Sequence, residues 1–113
     1  MNIIIHGKEY ELASTLRVAY EMQKQNNHKA YSEIFKGLGD MKIEDQIGLL
    51  YCAFKVANPD DAKTFTAQMF TEYYLDNYTL KDIMTHLKAV IQGITGESDD
   101  DIEKVAQEDS QGN

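Results

Sequence analysis

The chain begins with MNIIIHGKEYEL (residues 1–12), in which apolar and polar residues alternate as in a β-strand with one buried face. A two-residue turn at Gly7 and Lys8 would place glycine at the first central position of a type II′ turn and pair Ile5 with Tyr10. Because a lone two-stranded hairpin is marginally stable in water, its apolar face must pack on the rest of the chain. That predicted face consists of Ile3, Ile5, Tyr10 and Leu12.

The sequence after this hairpin predicts five helices. The first begins after Ser14 as its N-cap and ends near Gln25, Gly37 and Gly39 end the second, and the third runs from about residue 43 to 57. Apolar residues at helical spacing are expected to face the core. They are Leu16, Ala19 and Tyr20 in the first helix, Tyr31, Ile34, Phe35 and Leu38 in the second, and Ile43, Ile47, Leu50, Tyr51 and Phe54 in the third.

Capping signals mark the last two predicted helices. In NPDD (residues 58–61), Asn58 is the expected N-cap of the fourth helix and Pro59 its first residue. Thr79 and Asp82 match a capping box for the fifth helix. The expected core-facing residues are Ala62, Phe65, Met69 and Tyr73 in the fourth helix, with Phe70 and Tyr74 beside them, and Leu80, Ile83, Met84, Leu87, Val90, Ile91 and Ile94 in the fifth.

These elements predict a mainly α protein of the α+β class, in which an N-terminal β-hairpin packs on a compact bundle of about five helices. The predicted domain covers residues 1–96, with Gly93 and Gly96 closing its last helix, and residues 97–113 form an acidic, flexible tail. The chain has 113 residues and a net charge of -8. The tail carries seven of the nineteen acidic residues and one of the eleven basic ones, so the domain itself is nearly neutral.

The residues that could carry chemistry do not form a recognisable catalytic or metal-binding motif. His6, His28 and His86 fall in different segments and lack the spacing of zinc ligands. Cys52 lies in the apolar run LLYCAF, where a buried structural thiol is expected. Asp82 and His86, four residues apart on a helix, are expected to form a local pair. We therefore predict no catalytic residue, cofactor or metal, and no enzymatic activity.

Charge and hydropathy exclude two classes of partner. The chain has no basic patch that could neutralise nucleic-acid phosphates, and it has no run of roughly 18 to 20 apolar residues that could span a membrane. The apolar run at residues 3–5 is much shorter than the core of a signal peptide, and a single cysteine forms no internal disulfide. The sequence predicts a cytoplasmic protein without nucleic-acid or membrane binding.

Aromatic residues are concentrated in one segment. Five of the eleven, including Phe65, fall between positions 65 and 78. Two interpretations remain open, namely core packing and a partner-binding surface that uses the large contact area of tyrosine. In the first case, replacing Phe70 and Tyr74 with alanine would destroy the fold, whereas in the second it would weaken binding only. The candidate partner-binding residues are Phe70, Tyr73, Tyr74 and Tyr78.

The order of these elements resembles the tail assembly chaperones of long-tailed bacteriophages and prophages. The resemblance is carried by the hairpin ending in GKEYEL (residues 7–12), the helix STLRVAYEMQK (residues 14–24) that follows at once, a helical body and an acidic trailing segment. It covers roughly residues 1–95, and GKEYEL is its best marker.

The resemblance implies a non-enzymatic chaperone in the host bacterial cytoplasm that binds the tape measure protein and helps the tail tube protein assemble around it. It also implies absence from the finished virion and a longer form, made by ribosomal frameshifting, that shares residues 1 to about 100. The open edge of the hairpin would allow self-association into a homo-oligomer.

Two alternatives remain from the sequence. The first is an acidic regulatory protein that occupies a basic partner or mimics DNA, for which the nearly neutral domain is poorly suited because such proteins carry carboxylates over the folded surface. The second is a small helical adaptor or a structural component of a virion. The acidic regulator would bind its partner with strong salt dependence, and the structural component would be found in purified particles.

Overall fold

A computed structural model describes residues 1–25 and 42–96, which form a two-stranded hairpin followed by four α-helices. This confirms the predicted fold class, whereas the second predicted helix and residues 97–113 lie outside the described residues. A short 3-10 turn, Asp61–Lys63, lies between the second and third of these helices. The strands are β1 (Asn2–Ile5) and β2 (Lys8–Glu11), and the helices are α1 (Leu16–Gln25), α2 (Ile43–Ala57), α3 (Ala67–Asn77) and α4 (Leu80–Thr95).

The hairpin turns one residue earlier than its sequence predicts. Ile5 pairs with Lys8, so His6 and Gly7 form the turn, with φ angles of 52° and 79°. Positive φ at both central residues is the requirement of a type I′ turn, whose twist matches that of the strands. The predicted type II′ turn is therefore wrong. Because the pairing moves by two residues, however, Ile3 and Ile5 stay on the buried face with Tyr10.

Helix α2 is the centre of the molecule. Six consecutive residues, 49–54, are buried, which is typical of a helix enclosed on several sides. Helices α1, α3 and α4 all pack against it, and strand β2 contacts it as well. The hairpin is joined to it by a hydrogen bond from the Ala13 amide to the Ala53 carbonyl, 3.0 Å long. Ile43, which was expected in the core, is exposed at the start of this helix.

Helix α1 buries a different stripe from the predicted one. Val18 and Met22 face the core together with Ala19, while Leu16 and Tyr20 are exposed. Met22 Sδ lies 3.9 Å from Cys52 Sγ of α2. The helix has apolar residues on two sides, and contact with α2 selects the side that carries Val18 and Met22.

The NPDD segment ends one helix instead of starting the next. Asn58 is the C-cap of α2, and its side-chain amide donates to the carbonyls of Phe54 (3.0 Å) and Glu11 (2.8 Å). The Tyr51 hydroxyl donates to the Phe65 carbonyl at 2.8 Å and holds the following segment against α2. Helix α3 begins only after Thr66, whose hydroxyl accepts from the Met69 amide, so the predicted start at Pro59 is wrong.

Helix α4 begins and ends where its capping signals predict. The Thr79 hydroxyl accepts from the Asp82 amide, and the Asp82 carboxylate accepts from the Thr79 amide, which completes the capping box. Gly96 closes the helix with φ 75° in the left-handed region. Gly93, by contrast, lies inside the helix at a close approach to Ser14, ahead of α1. Leu80 at the first turn is exposed, in contrast to its expected core position.

Candidate partner-binding site

Two of the four candidate partner-binding residues belong to the hydrophobic core. Phe70 and Tyr74 are each 1 % exposed, and their rings stack at 5.8 Å between centroids. Phe70 also contacts the rings of Tyr51 and Phe54 at 5.3 and 5.5 Å. Phe70 and Tyr74 are therefore core residues. The interpretation that placed these two side chains on a partner-binding surface is corrected. Helix α3 needs its aromatic side to pack against α2.

The polar end of Tyr74 is satisfied inside the molecule by His86 of α4. The Tyr74 hydroxyl and His86 Nδ1 are hydrogen-bonded. Burial raises the pKa of Tyr74, so the hydroxyl keeps its proton and can donate a hydrogen bond. A neutral imidazole that carries its proton on Nε2 accepts this hydrogen bond at Nδ1. His86 thus bonds to Tyr74, whereas Asp82, its predicted partner, caps α4 through Thr79. The result is a side-chain link between α3 and α4.

We expect the stability of the protein to fall as the pH drops below 6.5, the ordinary pKa of histidine. Burial lowers the pKa of His86 in the folded chain, and the nearby Asp82 carboxylate offsets this only in part. The unfolded chain then binds a proton at a pH where the folded chain does not, so protonation favours unfolding. Urea unfolding between pH 5 and pH 8 measures the effect. The free energy of unfolding should be constant between pH 8 and about pH 6.5 and should decline between pH 6.5 and pH 5.

The matched variants for this experiment are His86→Gln and His6→Gln. The first should flatten the decline between pH 6.5 and pH 5, and the second should leave it in place. An unchanged slope in His86→Gln would contradict the assignment of the decline to this imidazole.

The other two candidate residues, Tyr73 and Tyr78, are half-buried and connect α3 to the hairpin. The Tyr73 ring lies 4.6 Å from the His6 ring at the hairpin turn. The Tyr78 hydroxyl accepts from the Ile4 amide at 3.1 Å and donates to the Ile4 carbonyl at 2.7 Å. The Tyr78 ring stacks on Tyr74 at 4.5 Å. Both tyrosines therefore contact the rest of the fold through their rings or hydroxyls.

The hairpin edge, which was expected to be open for self-association, is occupied at its centre by Tyr78. Both backbone groups of Ile4 that point away from β2 bond to that hydroxyl. On β2, the Glu11 carbonyl accepts from Asn58. The expectation of a freely available edge is corrected for these positions. Sequence reasoning missed this contact because Tyr78 and Ile4 are 74 residues apart in the chain.

An exposed apolar surface lies instead on α1. Leu16 is 74 % exposed and Tyr20 is 53 % exposed, one helical turn apart. The Arg17 guanidinium and the Lys24 ammonium lie over the Tyr20 ring, at 5.8 and 5.5 Å from its centroid. We name these four residues the α1 outer face. It combines apolar area with positive charge on a protein whose net charge is negative.

The described residues carry no constellation suited to metal or thiol chemistry. Among residues 1–25 and 42–96, no group of three histidine, cysteine, aspartate or glutamate side chains could hold a metal ion. Burial raises the pKa of the Cys52 thiol to about 11, which leaves it protonated at neutral pH. Within the same ranges, no helix has the length and apolar character needed to cross a lipid bilayer.

Comparisons with known proteins supply no relative. No protein-family model matches the chain, and no curated protein or solved structure is significantly similar to it.

Proposed function

We propose that this protein is a tail assembly chaperone of a long-tailed phage or prophage, which binds the tape measure protein in the bacterial cytoplasm without catalysing a reaction. The observation that carries the proposal is the α1 outer face, an exposed apolar row on a helix that directly follows the hairpin. In the resemblance from the sequence, the GKEYEL hairpin (residues 7–12) is the best marker, and this helix is the element that follows it at once. A longer frameshifted form that shares them would carry the same face.

The α1 outer face has the character expected for binding a helical client. Leu16 and Tyr20 form an i, i+4 row, the spacing at which two helices pack side by side. Tyrosine is favoured at such interfaces because its ring provides contact area and its hydroxyl stays hydrated.

The positive charges of the α1 outer face indicate which kind of client segment it would bind. Arg17 and Lys24 flank Tyr20, and the Glu21 carboxylate lies 3.9 Å from the Lys24 ammonium. A partner helix with an apolar stripe bordered by acidic residues would satisfy both the apolar and the basic parts of this face. We therefore propose that the client is an amphipathic helical segment of the tape measure protein, with acidic residues beside its apolar stripe. Tail tube protein would be recruited to that complex.

The experiment is a pull-down of the tagged full chain from a lysate in which the source phage or prophage has been induced. We expect the wild-type chain to retain the tape measure protein. The double variant Leu16→Ser, Tyr20→Ser should retain at least ten times less of it. Removing two anchor side chains of an interface commonly costs more than about 1.4 kcal/mol, which is tenfold in affinity. Circular dichroism should be unchanged, because both side chains are exposed.

The matched control is the double variant Leu75→Ser, Leu80→Ser. These leucines are also exposed, but they lie on α3 and α4. This control should retain the tape measure protein as the wild type does. Equal retention by both double variants would move the client site away from α1. Retention of a basic or DNA-binding protein in place of the tape measure protein would favour the acidic regulator instead.

A further inference from the structure

The end of α4 lies beside the start of α1. A methyl group placed at Gly93 of α4 would be 2.6 Å from the Ser14 carbonyl oxygen, so the last turn of α4 contacts the segment ahead of α1. Gly96, the last residue that the structure describes, follows Gly93 by about 5 Å of helix. Leu16 follows Ser14 by two residues, which span at most about 7 Å. The acidic tail (residues 97–113) therefore continues from a point close to the first residue of the α1 outer face.

The acidic tail has the composition that the α1 outer face favours in a client. It carries seven acidic residues and one lysine, whereas the α1 outer face presents the Arg17 guanidinium and the Lys24 ammonium. Acidic residues precede and follow a short apolar stripe, at positions 99–101, 103, 108 and 109. The residues of this stripe fall on one side at helical spacing, and they are Ile102, Val105 and Ala106.

We propose that the acidic tail docks on the α1 outer face of its own chain and covers that face until a client helix displaces it. Ile102 and Val105 pack on the apolar row of the face, and the neighbouring carboxylates pair with its two basic side chains. This inference rests on the proposed function, because it assigns the regulation of the same surface. The acidic tail and the tape measure protein then compete for one site.

The chain between Gly96 and Ile102 is long enough for this contact. Six residues span up to about 20 Å. The α1 outer face lies on the side of α1 opposite to the buried Val18 and Met22, and a helix with its side chains is about 10–12 Å in diameter. The chain can therefore pass around the start of α1 and place Ile102 on Leu16.

Covalent attachment makes a weak contact sufficient. A segment joined to its site by a short linker acts at an effective concentration on the order of millimolar. The apparent affinity for a client falls in proportion to the fraction of chains whose site is open. A tail that covers the α1 outer face for half of the time or more therefore weakens client binding by about twofold or more.

The test attaches a nitroxide at Gln107→Cys in the full chain and measures the paramagnetic broadening of backbone amide signals by NMR. Cys52 stays unlabelled, because its thiol is buried and its pKa is raised to about 11. We expect strong broadening at Arg17 and Tyr20. We expect none at Leu80, which lies at the opposite end of α4, about 24 Å along the helix from Gly96.

Two double variants of the labelled chain test the contact from both sides. Ile102→Ser, Val105→Ser and Leu16→Ser, Tyr20→Ser should each abolish the broadening on α1. The matched control Leu75→Ser, Leu80→Ser should keep it. Mixing nitroxide-labelled chains with isotope-labelled chains that lack the nitroxide should give no broadening, because the tail docks within one chain.

The pull-down of the tape measure protein tests the competition. The full chain with Ile102→Ser, Val105→Ser should retain at least about twofold more of it than the wild type. Equal retention would overturn the competition. The docking would be overturned by absence of broadening at Arg17 and Tyr20, by its persistence in Ile102→Ser, Val105→Ser, or by its appearance in the mixed sample. Failure of the proposed function is distinct, since a chain that shows the broadening but retains no tape measure protein would contradict the function and support the docking.

Discussion

Replacing Phe70 with alanine is expected to lower the free energy of unfolding by about 3–5 kcal/mol, the usual cost of removing a buried phenylalanine. The ring is 1 % exposed and meets the rings of Tyr51, Phe54 and Tyr74, so its loss leaves a cavity that the surrounding rings fill only in part. For a domain of this size, that is a large share of a total stability of about 5–15 kcal/mol. Urea unfolding followed by circular dichroism measures the change.

The matched control on the same helix is Leu75→Ala. Leu75 is 56 % exposed, so this variant should change stability by no more than about 0.5 kcal/mol. If Phe70→Ala cost as little as Leu75→Ala, the packing of α3 on α2 would be wrong. The surface interpretation of Phe70 that the sequence left open would then return.

Replacing Gly93 with alanine is the second large effect, with an expected loss of about 1–3 kcal/mol, as for other overpacked sites. A methyl group at Gly93 would lie 2.6 Å from the Ser14 carbonyl oxygen and still closer to the Ser14 Cβ and Oγ atoms. Alanine favours a helix interior over glycine by about 1 kcal/mol, but here the contact with the backbone ahead of α1 outweighs that gain. Separation of α4 from the Ser14 segment is the only relief. Urea unfolding of the variant measures the loss.

Gly48→Ala is the matched control, because Gly48 also lies inside a helix, and a methyl group added there meets nothing within 4 Å. This variant should gain about 0.5–1 kcal/mol of stability. Opposite signs at the two glycines would demonstrate that close helix packing, and not helix propensity, requires glycine at position 93. A gain at both positions would contradict the close approach of α4 to Ser14.

The pH dependence and the binding experiments address separate parts of the molecule. His86 lies between α3 and α4, whereas the α1 outer face is on a different helix. A variant at Leu16 and Tyr20 should therefore keep the pH profile of the wild type. Loss of client binding with an intact pH profile would separate a damaged surface from a damaged fold.

Local signals in the sequence were sufficient for several elements. The Thr79 and Asp82 capping box starts α4 where expected, and Gly96 ends it, because each motif satisfies backbone groups within a few residues. The apolar face of the hairpin was also predictable, since strand alternation survives a two-residue error in pairing. The burial of Cys52 in α2 followed from its apolar neighbours.

Other features required information that no local pattern contains. Residues Leu16 and Val18 offer two apolar sides of α1, and only the position of α2 decides which is buried. Asparagine can cap either end of a helix. Asn58 is the C-cap of α2, and its side-chain amide also donates to the carbonyl of Glu11, which is distant in the sequence. The aromatic residues of α3 suit a core or an interface equally well by composition.

The sequence by itself determined the mainly α class, the N-terminal hairpin with its buried face, and the limits of the third and fifth predicted helices, because these depend on periodicity and capping between near neighbours. Only the tertiary structure decided that Phe70 and Tyr74 are core residues, that Leu16 and Tyr20 are surface residues, and that Tyr78 closes the edge of β1. The physical reason is that burial depends on which elements meet in space, and the contact between Tyr78 and Ile4 joins residues 74 positions apart.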